Sequence, residues 1–339
     1  MTSQPDLLYV GSYAGAITTV EIGPDGDLTA IGSTTDTACP SFLAAHPSGD
    51  FLYAVDEGDE GSVVAYAIRP DNDLERLNAR PADGSTTAHL TVDPSGKFVL
   101  SANYGSGSVV VHPINPDGSL GERTGFAQHH GSGPEKERQE GPHAHVVRFA
   151  PDGRYALVAD LGTDEIITYA LPGGALERVS ATKLPPGTGP RHLVFGPDKS
   201  VYAVGELDST IHGFAYDPET GALTERDTCP ASVAGNGVRN YPSEIALSAD
   251  GRFCYVANRG DDVVTVFGIA GGSVSAKAEV SAGGQWPRHL AVAGDRLWVA
   301  NQNSGDLAAF VIDRFAIPRP SGKSLQVEAP ACILPMVRK

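Results

Sequence analysis

The chain has 339 residues, 40 of them Gly and 25 Pro, with 41% hydrophobic residues and a formal net charge of −16. That charge excludes nucleic acid and anionic membrane surfaces as partners, because both would be repelled at long range. The four cysteines, Cys39, Cys229, Cys254 and Cys332, are scattered without close pairing, so neither a zinc site nor a disulfide framework is indicated.

In chain order, the first element is a strand-like run at residues 7–11, which ends in Gly11-Ser12-Tyr13. The next unit, Pro40 to Glu57, is complete: a short apolar run, a Pro-x-Gly-type turn, then a second run ending in a polar pair. Related copies end at Ala102-Asn103-Tyr104, Ala159-Asp160-Leu161, Val204-Gly205-Glu206, Ala257-Asn258-Arg259 and Ala300-Asn301-Gln302. Third runs follow at residues 63–66, 109–112, 166–169 and 263–267, and weaker, polar fourth runs at 74–77, 120–123 and 223–226. The short β-branched runs and Gly-containing turns predict four-stranded antiparallel units with charged outer edges. Residues 330–334 align with the first strand of the unit at Pro40, so the carboxyl-terminal strand is expected to complete the blade begun by the amino terminus. The fold class is therefore an all-β, seven-bladed β-propeller, closed by that strand, with residues 1–339 as a single domain.

Two insertions interrupt the rhythm, His129 to Glu140 and Ser232 to Asn240, and long excursions on a rigid scaffold are often functional lids. The amino terminus lacks a basic region followed by an apolar stretch, and no segment has the length of a membrane span. A cytoplasmic protein, monomeric or weakly dimeric, is the expectation.

Alignment of the copies gives two columns with chemical content. One follows the second strand: Tyr13, Glu57, Tyr104, Leu161, Glu206, Arg259, Gln302. The other opens the first strand: Ser41, Ala88, His145, Arg191, Ser243, Arg288, Ala331. In an antiparallel blade these positions share one end, so a sevenfold arrangement sends His145, Arg191, Glu206, Arg259 and Arg288 to one mouth of the central channel. Such a set predicts an anion-binding pocket with an acid or base candidate. His46, His89, His192 and His289 read as core imidazoles satisfied by backbone, and Asp56, Asn103, Asp160, Asn258 and Asn301 as turn-stabilising residues. His143 and His145 share a face at a spacing that could bind metal, but no Cys completes a set, so no metal is expected.

The segments Gly131-Ser132-Gly133-Pro134, residues 137–145, Gly189-Pro190-Arg191-His192, Gly205-Glu206-Leu207 and Ala257-Asn258-Arg259-Gly260 resemble the lactonase-type β-propellers. That group includes bacterial 6-phosphogluconolactonase of the propeller type and fungal carboxymuconate cyclase. The resemblance covers nearly the whole chain and implies hydrolysis of a sugar lactone, 6-phospho-D-glucono-1,5-lactone above all, without a cofactor. It implies a site of one histidine, two arginines and a glutamate, matching His145, Arg191, Arg259 and Glu206. In this expectation Glu206 is the base, the two arginines face the oxyanion or substrate anion, and His145 donates or orients a proton; Glu206 and His145 could exchange roles. Arg288, Arg138 and Tyr104, with His143, Glu57 and Gln302, are the expected substrate-binding residues. Relatives often carry His where this chain has Asp261, an acid expected to temper the charge of Arg259. The competing readings are a cycloisomerase of the carboxymuconate cyclase type and a non-catalytic propeller that binds a partner.

Overall fold

The computed structural model describes residues 5–233, 235 and 237–338. The second insertion therefore includes two positions, 234 and 236, that lie outside the described residues, as do residues 1–4 of the amino-terminal reading.

Seven four-stranded antiparallel sheets are arranged as blades. The innermost strands are Leu43–Ala45, Thr87–Val92, Ala144–Phe149, Pro190–Gly196, Tyr241–Leu247, Pro287–Ala293 and Pro330–Met336. We number the blades one to seven in that order. Among the described residues one short 3-10 turn, Pro172–Gly174, is the only helical element.

Second strands are buried on both faces, as in Phe253–Arg259 and Ser200–Gly205. They consequently read as near-continuous apolar runs, without the alternation of a half-exposed strand. Outer strands alternate towards solvent, as in Glu177–Lys183. The core lies between blades rather than within them: one cluster joins Val146, Leu157 and Ile166 of blade three to Leu193, Val201 and Phe214 of blade four. Tyrosine hydroxyls reinforce these seams, with Tyr53 donating to Gly118 O at 2.9 Å and Tyr255 to Ala316 O at 3.2 Å.

The ring closes as anticipated, with Pro330–Met336 pairing antiparallel to Leu7–Ser12 through Val10 opposite Ile333 and Tyr9 opposite Leu334. One outer strand differs from the sequence expectation. In blade two it is Gly125–Gln128, not residues 120–123. Leu120 is fully buried and forms an isolated bridge with Ile114, while its carbonyl accepts from Asn78 and Arg80 of blade one. That inter-blade burial removes residue 120 from the edge its polar neighbours imply.

Candidate functional site

The channel mouth is shaped by an irregularity repeated around the ring. In six of the seven innermost strands the register shifts at the column position: at Ala88, His145, Arg191, Ser243, Arg288 and Ala331. A regular strand sends consecutive side chains to opposite faces, whereas a bulge re-aims one of them. Accordingly the adjacent pairs Arg191/His192 and Arg288/His289 line the same cavity, together with Tyr13, Ser41, Phe42, Glu57 and His145. A larger hollow between blades seven and one is lined by Tyr9, Ile68 and Met336 among others, but its arginines, Arg69 and Arg338, are paired at the surface with Glu75 and Glu21.

Glu206 follows the second strand of blade four and is 3% exposed. Its Oε2 accepts from Arg259 Nη2 at 2.6 Å and lies 2.9 Å from Arg191 Nε, while Oε1 accepts from Arg138 Nη2 at 2.5 Å. Burial alone would raise its pKa, but Arg259, Arg191 and Arg138 outweigh that and hold the carboxyl far below its usual range. The arginines are themselves anchored. Arg191 Nη1 donates to Ser243 O of blade five at 2.6 Å, and Arg259 Nε donates to Tyr241 O at 3.1 Å with its guanidinium 5.5 Å above the Trp286 ring. Burial, then repulsion from Arg259 and Arg288, lowers the Arg191 pKa to about 9, which still leaves it charged at neutral pH.

His145 is 6% exposed and its Nδ1 is buried without a partner. Burial, reinforced by Arg191, His192, Arg288 and Arg259, holds its pKa well below 6.5, so the imidazole is neutral with a free lone pair. Tyr104 lies edge-on to it at 5.6 Å and accepts from Arg138 at 3.3 Å through its hydroxyl.

Across the mouth, Glu57 Oε2 accepts from the Tyr13 hydroxyl at 2.8 Å and also from Ser41 Oγ. Arg288 lies 4.7 Å above the Tyr13 ring and reaches Gln302 Oε1 at 3.4 Å. Thus nine of the ten residues named from sequence, on six blades and one insertion, meet around this mouth; the tenth, His143, has a supporting place. It stacks on Tyr104 at 4.5 Å, donates from Nδ1 to the Tyr104 carbonyl at 2.8 Å, and has Nε2 3.3 Å from Glu140. Among the described residues no group of three or more His, Cys, Asp or Glu side chains is arranged to hold a metal.

Several further features escaped sequence reasoning. Gln139 is fully buried and ties the first insertion down, its amide donating to Leu161 O and Asp164 Oδ1 at 2.8 Å each. Asp261 accepts from Ser232 Oγ at 2.6 Å, and the leading influences on Arg259 are burial, Glu206, Arg288 and Arg138. His192 is contacted by the Glu244 carboxylate at 2.9 Å rather than by backbone, and His46 binds Gly96 O at the outer turn. Glu244 itself was detectable as the lone acid in an otherwise apolar first strand, in register with His89, His192 and His289. The turn column behaves as read: Asn258 donates to Ala231 O at 3.1 Å, and Asp160 accepts from the backbone of His143, Gly162 and Thr163.

The profile of a family described as "Lactonase, 7-bladed beta-propeller" matches residues 7–335. The chain belongs to this lactonase family. A 6-phosphogluconolactonase of Bacillus subtilis is 36% identical over 282 residues, which span 81% of this chain and 80% of that protein. Among solved structures, a Lactobacillus plantarum protein superposes with a TM-score of 0.91 at 32% identity, covering 98% of this chain and 99% of the other. The Pseudomonas aeruginosa periplasmic gluconolactonase gives 0.90 at 28% identity, covering 97% and 98% respectively. The family assignment and the seven-bladed ring thus agree, and the alternative of a non-catalytic propeller has nothing in its favour among these relatives.

Proposed function

We propose that the protein hydrolyses a sugar δ-lactone and that its substrate is 6-phospho-D-glucono-1,5-lactone. The observation that carries the reading is the charge at the channel mouth. Arg138, Arg191, Arg259 and Arg288 face two carboxylates, Glu206 and Glu57, around a neutral His145, which leaves a local charge of +2 in a chain whose net charge is −16. A phosphate monoester carries about −1.5 to −2 at neutral pH, so it fits this excess.

Hydrolysis requires a base for water, a partner for the oxyanion and a proton for the departing ring oxygen. Glu206 is a poor base, since three guanidiniums occupy its oxygens and stabilise its anion. The roles considered from sequence are therefore exchanged in this proposal. His145 accepts a proton from water as the water oxygen attacks the lactone carbonyl carbon. Arg191, which lines the same cavity, stabilises the developing oxyanion. The tetrahedral intermediate then breaks its bond to the ring oxygen, and the His145 imidazolium returns the proton there. The product acid ionises, so each turnover releases one proton to solvent. Glu206 orients Arg191 and Arg259; Arg138 and Arg288 receive the phosphate; Glu57, Gln302 and Tyr104 bind sugar hydroxyls. No cofactor is needed, because the lactone is already an activated ester.

The test is acid release from freshly prepared phosphorylated lactone in a pH-stat, corrected for spontaneous opening. A rate at least about a hundredfold above the uncatalysed one is expected, as general acid–base help alone commonly supplies that much. No rate above spontaneous opening overturns the reading, and turnover of a muconate, followed by its absorbance, would replace it with the cycloisomerase.

A further inference from the structure

Directly beneath the mouth lies a second layer of side chains, one position further along the first strands: Phe42, His89, His192, Glu244, His289 and Cys332. Glu244 is 2% exposed and is the acid of this layer. Its Oε2 lies 2.9 Å from His192 Nδ1 and 3.1 Å from His289 Nε2. Its Oε1 accepts from the Ile245 backbone N–H at 3.1 Å and is 4.0 Å from Arg148 Nη2, on the side away from the mouth. His89 packs on Phe42 at 4.0 Å, and Cys332 Sγ is 3.9 Å from His289 Nε2. Among the described residues, the charged and titratable groups around Glu244 are thus the imidazoles of His89, His192 and His289 and the guanidiniums of Arg148 and Arg191.

A buried carboxylate is costly unless donors surround it, and one facing two imidazoles dictates which nitrogen of each carries the proton. His289 Nδ1 lies 3.3 Å from the Ile333 backbone nitrogen and its Nε2 faces Glu244; burial would lower its pKa, but Cys332 and Glu244 outweigh that and raise it to about 10. His192 has Nδ1 against the carboxylate, so its proton belongs there and its Nε2 keeps a lone pair. The His192 ring is in turn 5.2 Å from the His145 ring, at 65° to it. Burial, opposed by Glu244, leaves His192 below its usual range, at about 4, so it is neutral at working pH.

We propose that Glu244 is a positioning residue for the lactonase site: by fixing His192 as the Nδ1–H tautomer edge-on to His145, it orients the imidazole that activates water. The inference rests on the lactonase reading for its functional half and on the channel geometry alone for its tautomer half. Glu244 touches no substrate, and the arginines that bind the anion are in the layer above it.

The tautomer half is tested on the wild-type protein without substrate, by long-range 1H–15N correlation spectra of the imidazoles with His192→Gln for assignment. A single Nδ1–H tautomer of His192 between pH 7 and 9 is expected, a range on the neutral side even of an ordinary His at about 6.5. An Nε2–H tautomer or an imidazolium there overturns the proposal. The functional half uses Glu244→Gln, which keeps the volume. A fall in kcat of about tenfold with KM within about twofold is expected, the signature of an interaction that matters to the chemical step. A kcat within threefold of wild type, or a rise in KM alone, overturns it. If Glu244→Gln does not fold, the wild-type spectra still decide. If wild-type protein turns over no lactone, the lactonase reading fails and the spectra judge the Glu244–His192 pairing independently.

Discussion

Glu206 and Arg259, from adjacent blades, meet at 2.6 Å in a site where both are nearly excluded from water. With Arg191 and Arg138 also on that carboxylate, Glu206 is the hub of the mouth, and its replacement is informative in two ways. Glu206→Gln keeps the shape but strands three guanidiniums, so a loss of about 3–5 kcal/mol in stability is expected from chemical denaturation. Folding lowers the Glu206 pKa below its ordinary 4.5, so the folded state binds fewer protons there. That stabilisation is complete above about pH 4.5 and disappears as pH falls through the folded value. The melting temperature of Glu206→Gln should therefore decline less steeply with acid than wild type; equal slopes would contradict the pairing.

A second expectation separates His145 from Glu206 as base. His145→Asn should lower kcat by about 10²–10⁴ while changing KM little. In wild type the acid limb of kcat/KM reports the free enzyme and should have its midpoint below 6.5, because burial and three arginines disfavour the imidazolium. A bound dianion offsets those arginines, so the limb of kcat should appear at higher pH than that of kcat/KM. The acid limb should survive in Glu206→Gln. Its disappearance there would restore Glu206 as the base.

These roles were only partly legible in the sequence. Periodicity exposed the two columns because each blade repeats the same strand ends, and Arg191, Glu206 and Arg259 could be gathered at one mouth on that ground alone. The bulges were not legible, since a register shift leaves no residue signature at His145 or Arg288; without them, alternation allows only one of Arg191 and His192 to face the channel. Glu244 was overlooked because its strand reads as apolar and its charge is balanced only by residues more than forty positions away. Leu120 was misread as an edge residue for a related reason: its partners, Asn78 and Arg80, belong to the previous blade.

Arg288 provides a test of the phosphate preference. Its guanidinium is half-buried, held over the Tyr13 ring and against Gln302 Oε1, and it lines the cavity. A charge-assisted bond contributes about 1.5–3 kcal/mol, so Arg288→Gln should raise KM for the phosphorylated lactone by roughly ten- to a hundredfold. KM for unphosphorylated gluconolactone should change by less than about threefold. Equal effects on both substrates would assign Arg288 to the lactone ring rather than to the phosphate.

The first insertion should behave as a latch held at Gln139 and read out at Arg138. Arg138 is about a third exposed, so screening limits its contribution to stability, and Arg138→Ala should alter unfolding by no more than about 1 kcal/mol. Its effect belongs in KM, expected to rise about tenfold as one phosphate partner is lost. Gln139→Ala frees the segment from Leu161 and Asp164, so trypsin should cut at the exposed Lys136 sooner than in wild type. Unchanged cleavage would show that the insertion is pinned elsewhere.

The carboxyl-terminal strand carries the last expectation. Pro330–Met336 is the innermost strand of blade seven, and its removal would leave Leu7–Ser12 with an open edge at the channel wall. It would also uncover Leu8 and Val10, which pack with Ile333 in one core cluster, and remove Cys332 from His289. An exposed apolar edge pairs readily with other chains, so truncation after Gln326 should give light-scattering aggregates in place of a cooperative melt. Truncation after Val337 removes Arg338, the surface partner of Asp6 and Glu21, together with residue 339, and its stability should remain within about 1 kcal/mol of the full chain. The contrast tests closure itself: if the longer deletion still melts cooperatively as a monomer, the ring is held by its inter-blade seams and not by the strand that joins its ends.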